Sequence, residues 1–165
     1  MVVDILLRWF ENNKILYPCR IHRTPYSVWI SEIMLQQTPV VTVIEYYQNF
    51  LKKYPTILSL ANADIDEVMQ SWSGLGYYRR ARNLHDTAVI VRDSFKGQFP
   101  NRYEDLIMLP GIGRSTAGAI LAFSFNKKYP ILDGNVKRVL SRLYGIQEWS
   151  GLTLVEKKLW GIAQE

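Results

Sequence analysis

Two carboxylates stand out for what surrounds them. Glu32 lies among Trp29, Ile30, Ile33, Met34 and Leu35. A carboxyl group in so apolar a stretch is costly unless paired, and that environment suits a general acid. The same run also fits a helix-edge glutamate that reaches water. Asp133 follows Ile131-Leu132 and precedes Gly134-Asn135, the setting of an aspartate that caps a helix. Such a residue can cap and still face a cleft. Sequence distance does not pair the two carboxylates; only the fold can. A third feature is Leu109-Pro110-Gly111-Ile112-Gly113. Its glycines permit a tight turn between helices, and free N–H groups at the next helix start can hold a phosphate. An ordinary αα-turn is the other reading of a Gly-x-Gly. The leading Leu-Pro, the small residues that follow, and Arg114, Lys127 and Lys128 nearby favour DNA.

Charge supports that direction. The 165 residues carry 20 Lys and Arg against 15 Asp and Glu, a net charge of +5. From Tyr77 to Arg142 there are 12 basic and 5 acidic residues, an asymmetry that attracts a polyanion. A set of solvated helix faces gives the same count. Hydrophobic residues make up 48% of the chain, which excludes a disordered protein. The apolar runs are too short to span a membrane, and Asp4 and Arg8 interrupt the N-terminal run where a signal peptide would need continuity. Cys19 is the one cysteine, which excludes an internal disulfide framework and any all-cysteine metal or iron–sulfur site. His22 and His85 are isolated, and there is no nucleophile elbow, Walker loop or dinucleotide fingerprint.

The elements that must position these residues read as helices almost throughout, with no sustained period-two alternation. Ile5, Leu6, Trp9 and Phe10 mark a first helix that breaks at Glu11. Thr24-Pro25 reads as an N-cap with Pro in the first turn of a helix running towards Gln37. Pro39 begins the next helix, with Val43, Ile44, Tyr47, Phe50 and Leu51 on one face, and Pro55 ends it. Asp64 caps a short helix through Trp72. Gly74-Leu75-Gly76 makes a tight turn, followed by a longer helix from Tyr78. A short helix over Tyr103–Met108 precedes the glycine turn, then comes a helix rich in small residues. Asp133 opens a further helix, and a last one spans Leu154–Ala163. The expectation is an all-α fold of nine or ten helices without an internal linker.

Taken together, four motifs in order resemble the adenine-DNA glycosylases of the helix-hairpin-helix glycosylase superfamily, over essentially the whole chain. They are Pro25-Tyr26…Val28-Trp29…Ser31-Glu32-Ile33-Met34-Leu35-Gln36-Gln37-Thr38, Gly74-Leu75-Gly76-Tyr77-Tyr78…Ala81-Arg82-Asn83-Leu84, Leu109-Pro110-Gly111-Ile112-Gly113-Arg114-Ser115-Thr116-Ala117-Gly118, and Leu132-Asp133-Gly134-Asn135-Val136-Lys137-Arg138-Val139.

The resemblance implies removal of adenine mispaired with 8-oxoguanine or guanine in double-stranded DNA, after the base is flipped from the stack. Glu32 matches the general acid that protonates the adenine. Asp133 matches the carboxylate facing the cationic sugar, a division of labour shared with glycoside hydrolysis. Gln37 and Tyr77 match residues that wedge into the duplex or contact the oxidised-guanine side, and Arg20 matches one beside the base pocket. Gly111 and Gly113 match the phosphate-gripping hairpin, with Arg114, Ser115 and Asn135 as further DNA contacts. Ser115 stands where strand-cleaving relatives carry the lysine that forms a Schiff base, so a monofunctional hydrolase is implied.

A six-helix barrel is expected over about residues 25–140 with the hairpin at 109–113, and parts of a second helical subdomain at 1–15 and 145–165. The family's [4Fe-4S] segment and C-terminal recognition domain are expected to be absent from this 1–165 region, leaving no cofactor that the chain can ligate. A monomer without membrane association is expected, in the cytoplasm of a bacterium or the nucleus of a eukaryote. Cys19 stands where the family commonly has a pocket tryptophan. One alternative is a non-catalytic DNA-binding remnant, against which the presence of both Glu32 and Asp133 argues. The other is a related thymine or pyrimidine mismatch glycosylase, where Ser115 and the Leu35-Gln36-Gln37-Thr38 run weigh against the strand-cleaving members.

Overall fold

In the computed structural model, residues 2–164 are described; Met1 and Glu165, the two ends of the expected domain, lie outside them. Every regular element among the described residues is helical. The order is α1 (Val2–Asn13), a 3-10 turn (Pro18–Arg20), α2 (Pro25–Met34), α3 (Val40–Lys53), α4 (Ile57–Ala61), α5 (Ile65–Ser71), α6 (Arg79–Ser94), α7 (Tyr103–Ile107), α8 (Arg114–Phe125), α9 (Gly134–Leu143) and α10 (Thr153–Gln164). No described helix is long and apolar enough to cross a membrane.

The helix that carries Glu32 is the centre of the main core. Thr24 caps α2 by accepting from the Ser27 N–H at 3.1 Å, and Pro25 occupies the first turn, where its missing N–H costs nothing. Val28, Trp29, Ile30 and Met34 are buried on this helix, so Glu32 rides on one of its few faces open to solvent. The most extensive helix pair is α2 with α8. Ala117, Gly118 and Ala119 are all buried on α8, and their small size lets neighbouring backbone come close. At Gly118 that neighbour is the Pro130 carbonyl: a Cβ there would sit 2.4 Å from its oxygen. The chain just before Asp133 is thereby seated on the helix that α2 packs against.

Around this pair, α3 contributes Val43, Tyr47 and Phe50, and α4 packs along α6. Trp72 stands edge-on to Phe50, with ring centroids 5.9 Å apart. A smaller, separate cluster joins Leu132 to Val155, Leu159 and Trp160, with Val136 and Leu140 against it. It holds α9 to α10. Helix α1 is different: Leu6, Trp9 and Phe10 are all at least half exposed, as expected for a helix whose apolar face lacks a partner.

Three local details depart from the sequence expectation. Helix α1 continues to Asn13, whose Nδ2 donates to the Trp9 carbonyl at 2.8 Å. Helix α4 was not expected; Thr56 and Ser59 cap it reciprocally, each side chain accepting from the other's backbone N–H. Helix α2 stops at Met34, not near Gln37, and a side chain from α6 meets its last carbonyls.

Gly118→Ala tests the seating of the 130–133 segment. Helix propensity alone would reward alanine by about 1 kcal/mol. The clash with the Pro130 carbonyl should outweigh it, for a net loss of roughly 1–3 kcal/mol, seen as a lower thermal midpoint. A raised midpoint would show that the contact is slack.

Candidate functional site

The Glu32 carboxylate is paired. Arg20, at the end of the 3-10 turn, donates from Nη1 to Glu32 Oε1 at 2.9 Å, and the Glu32 side chain is 19% exposed. The group is thus semi-buried yet reaches a surface. The Arg20 guanidinium also lies 5.1 Å from the centroid of the Phe123 ring on α8, a cation–π contact. Arg20 and Phe123 form part of the wall of a groove of about 670 Å³, with Trp9, Phe10, Leu16 and Tyr17 along the rest of it. A largely apolar, partly aromatic groove with the Arg20 guanidinium in its wall can take a planar heterocycle. Cys19 does not line it. Its thiol is buried in the main core.

Asp133 is an exposed N-cap, its carboxylate accepting from the Val136 N–H at 2.8 Å. The bond leaves the carboxylate facing solvent. Ser115 fixes this segment, because its hydroxyl accepts from the Leu132 N–H at 3.0 Å, one residue before Asp133. No direct hydrogen bond joins Glu32 and Asp133 among the described residues. Helix α8 is what they share, packed on α2 along its length and bonded through Ser115 to the chain that carries Asp133. Asn135 accepts from Arg138 at 3.0 Å on the exposed first turn of α9.

The Leu109–Gly113 turn joins α7 to α8. Leu109 and Ile112 are buried and anchor it, and Thr87 of α6 donates to the Pro110 carbonyl at 2.9 Å. Gly111 takes a left-handed φ of 76° with Asn83 of α6 packed against it, which explains glycine there. Gly113 corrects the expectation that both glycines make the turn: its φ of −87° and ψ of 179° suit any residue. It is the N-cap of α8, with no side-chain cap and open space where a Cβ would lie. The first N–H groups of α8 therefore face outward at the positive end of a helix dipole, an arrangement that accepts an anionic oxygen. Arg114 is exposed beside them, its guanidinium 3.8 Å from the centroid of Trp160, which ties the start of α8 to α10.

Gln37 and Tyr77 come together from distant parts of the sequence. Both are exposed non-glycine residues with left-handed φ, 59° and 49°, and both line one shallow groove of about 400 Å³ with Asn83. What joins them is Arg80, which no sequence motif had singled out. It is 8% exposed. Nη1 donates to the carbonyls of Ile33 (3.0 Å), Met34 (2.9 Å) and Gln36, and Nη2 to Thr38 Oγ1 (3.1 Å) and the carbonyls of Leu75 (3.3 Å) and Gly76 (3.2 Å). Burial pulls this guanidinium below its ordinary pKa, partly offset by Tyr77; an arginine stays charged regardless. The available signal was its spacing, which sets Arg80 on the α6 face of Leu84, Ala88 and Val91.

A four-thiolate iron–sulfur cluster does not fit these residues. The chain has one cysteine, that thiol is buried in the core, and no three His, Cys, Asp or Glu among the described residues gather as a metal site.

Comparison with known proteins places this geometry in context. Residues 30–165 match the model of the HhH-GPD superfamily of base excision DNA repair proteins. The chain is 50% identical to an adenine DNA glycosylase of Buchnera aphidicola (subspecies Acyrthosiphon pisum) over 98% of its own length and 46% of the relative's. It is 44% identical to the human adenine DNA glycosylase over 97% of its length and 31% of that protein. The chain thus spans half or less of these relatives. Among solved structures, a thermostable thymine-DNA glycosylase superposes with a TM-score of 0.89 at 28% identity, covering 99% of this chain and 75% of that one. An endonuclease III trapped on DNA superposes at 0.80 and 24% identity, over 98% and 79%, which bears on the fold alone.

Burial raises the Cys19 thiol above its ordinary pKa, with Arg20 opposing in part. A raised value leaves less thiolate, the form that reacts. An aromatic disulfide reagent at pH 8 should therefore label the native chain slowly and the urea-unfolded chain promptly. Equal rates would place the thiol at the surface.

Proposed function

Because the chain belongs to the HhH-GPD superfamily of base excision DNA repair proteins, we propose that it carries the catalytic region of a monofunctional DNA glycosylase. Its substrate is adenine mispaired with 8-oxoguanine or guanine in double-stranded DNA. The observation that carries this reading is the ion pair between Glu32 and Arg20, the latter a wall residue of the aromatic groove. It sets a half-buried carboxyl group, held in one orientation, where an extruded base can reach it. Adenine as the base follows from the relatives named above.

Each residue then has a task. The turn at Gly111 and Gly113 and the uncapped start of α8 take a backbone phosphate, and Gln37 and Tyr77 enter the duplex where the base leaves it. The flipped adenine occupies the groove beside Phe123. Glu32 takes up a proton from solvent, leaving its pairing with Arg20, and passes that proton to the adenine ring. The C1′–N9 bond breaks with its electron pair going to the base, so a neutral adenine departs. The cationic sugar left behind is met by the Asp133 carboxylate, a charge already in place and needing little reorganisation. Water adds to C1′, and its released proton returns to a carboxylate, leaving an abasic site. Ser115 offers a hydroxyl where a Schiff base would need an amine, and its bond to Leu132 gives it a different role, holding the Asp133 segment in place.

The thymine-DNA glycosylase likeness favours one competing reading, so the test uses two substrates under single-turnover conditions. Adenine opposite 8-oxoguanine should yield strand breaks only after hot alkali, and thymine opposite guanine should yield none. Glu32→Gln should reduce adenine release by about three orders of magnitude, within the range for loss of a general acid, and leave duplex affinity within about threefold. Parallel loss of affinity and release would make Glu32 a structural residue. Breaks at thymine would assign the other base.

A further inference from the structure

We infer that Arg80 is a positioning residue for the duplex wedge: its buried guanidinium holds Gln37 and Tyr77 in the backbone conformations that let them enter DNA. The inference rests on the proposed glycosylase reading for the wedge, and adds a residue from the interior of the fold.

The geometry is specific to these two positions. Arg80 bonds the backbone carbonyl of Gln36 and the hydroxyl of Thr38, the neighbours on either side of Gln37. It bonds the carbonyl of Gly76, immediately before Tyr77, and that of Leu75. Gly76 is held from a second side by the Trp72 indole N–H, which donates to the same carbonyl at 3.1 Å. The guanidinium carbon also lies 5.3 Å from the Tyr77 ring centroid and 5.4 Å from that of Trp72. Gln37 and Tyr77 have φ values that side chains seldom adopt, and such conformations persist only where the surroundings over-determine them. One rigid, planar, permanently charged group over-determines both. A lysine has a single ammonium and cannot reach two sets of carbonyls at once.

The experiment measures duplex distortion separately from base release. A 2-aminopurine beside the mispair brightens when it is unstacked, so the saturated complex of the full chain reports wedge entry. Arg80→Lys should keep its helical circular dichroism and bind the duplex with affinity within about threefold of wild type. It should lose most of the fluorescence rise and about tenfold or more in single-turnover release. In a Gln37→Ala/Tyr77→Ala background, the same substitution should change either readout by less than about twofold, since it acts through those residues. If Arg80→Lys does not fold, Thr38→Val removes one acceptor beside Gln37, leaves Arg80 in place, and should give a partial loss of the rise.

An undiminished rise in the folded variants, or an equal factor lost in both backgrounds, overturns the positioning role. So does a wild-type complex that shows no rise. A rise that depends on Arg80 in a chain that makes no alkali-labile sites would sustain this inference and defeat the glycosylase reading instead.

Discussion

A single charge taken out of water sets the arrangement of this molecule's working end. The Arg80 guanidinium is almost fully buried, and a buried cation is tolerated only where acceptors meet it. The acceptors come from two places. One is the end of α2, where the last carbonyls of any helix lack intrahelical partners and attract positive charge. The other is the glycine turn ahead of α6. By satisfying both, Arg80 caps the end of α2, binds the Gly74–Gly76 turn against it, and brings Gln37 and Tyr77 into one groove.

Helix α8 does the complementary task on the other side of α2. Its small residues allow close contact with α2 and with the Pro130 carbonyl, and Ser115 grips the chain one residue ahead of Asp133. Its uncapped start faces outward beside the hairpin, and Asn83 of α6 touches Gly111 while also lining the Gln37–Tyr77 groove. Gln36, two residues past the end of α2, further approaches Thr116 of α8 at 3.5 Å. The end of α2, the start of α6, the hairpin and the start of α8 thus converge. The two carboxylates sit on elements tied to that same helix, and under the proposed function one rigid body grips the backbone, enters the duplex and receives the base.

Much of this was legible in the sequence where the cause is local. Thr24, Asp64 and Asp133 announce their helices through bonds spanning two or three residues, and all three cap as expected. Helix α4 escaped notice because its signal, Thr56 with Ser59, is a capping pair without a long apolar stripe behind it. The Glu32 environment was readable as apolar, but not its pairing with Arg20 across a loop twelve residues back. The Arg80 clamp was least legible, since its acceptors on and after α2 lie 42 to 47 residues upstream. A buried arginine looks, in sequence, like any other basic residue at the start of a helix. Gly113 misled for the opposite reason: a glycine suggests a backbone requirement, and here the backbone is ordinary while the space around it is empty.

The central claim is that these separate segments form one duplex-binding surface. Amide hydrogen exchange of the full chain with and without a mispaired duplex tests it most directly. The account predicts slowed exchange together over 36–38, 76–79, 111–116 and 133–136. Protection confined to one of these segments, or absent from all of them, would contradict it.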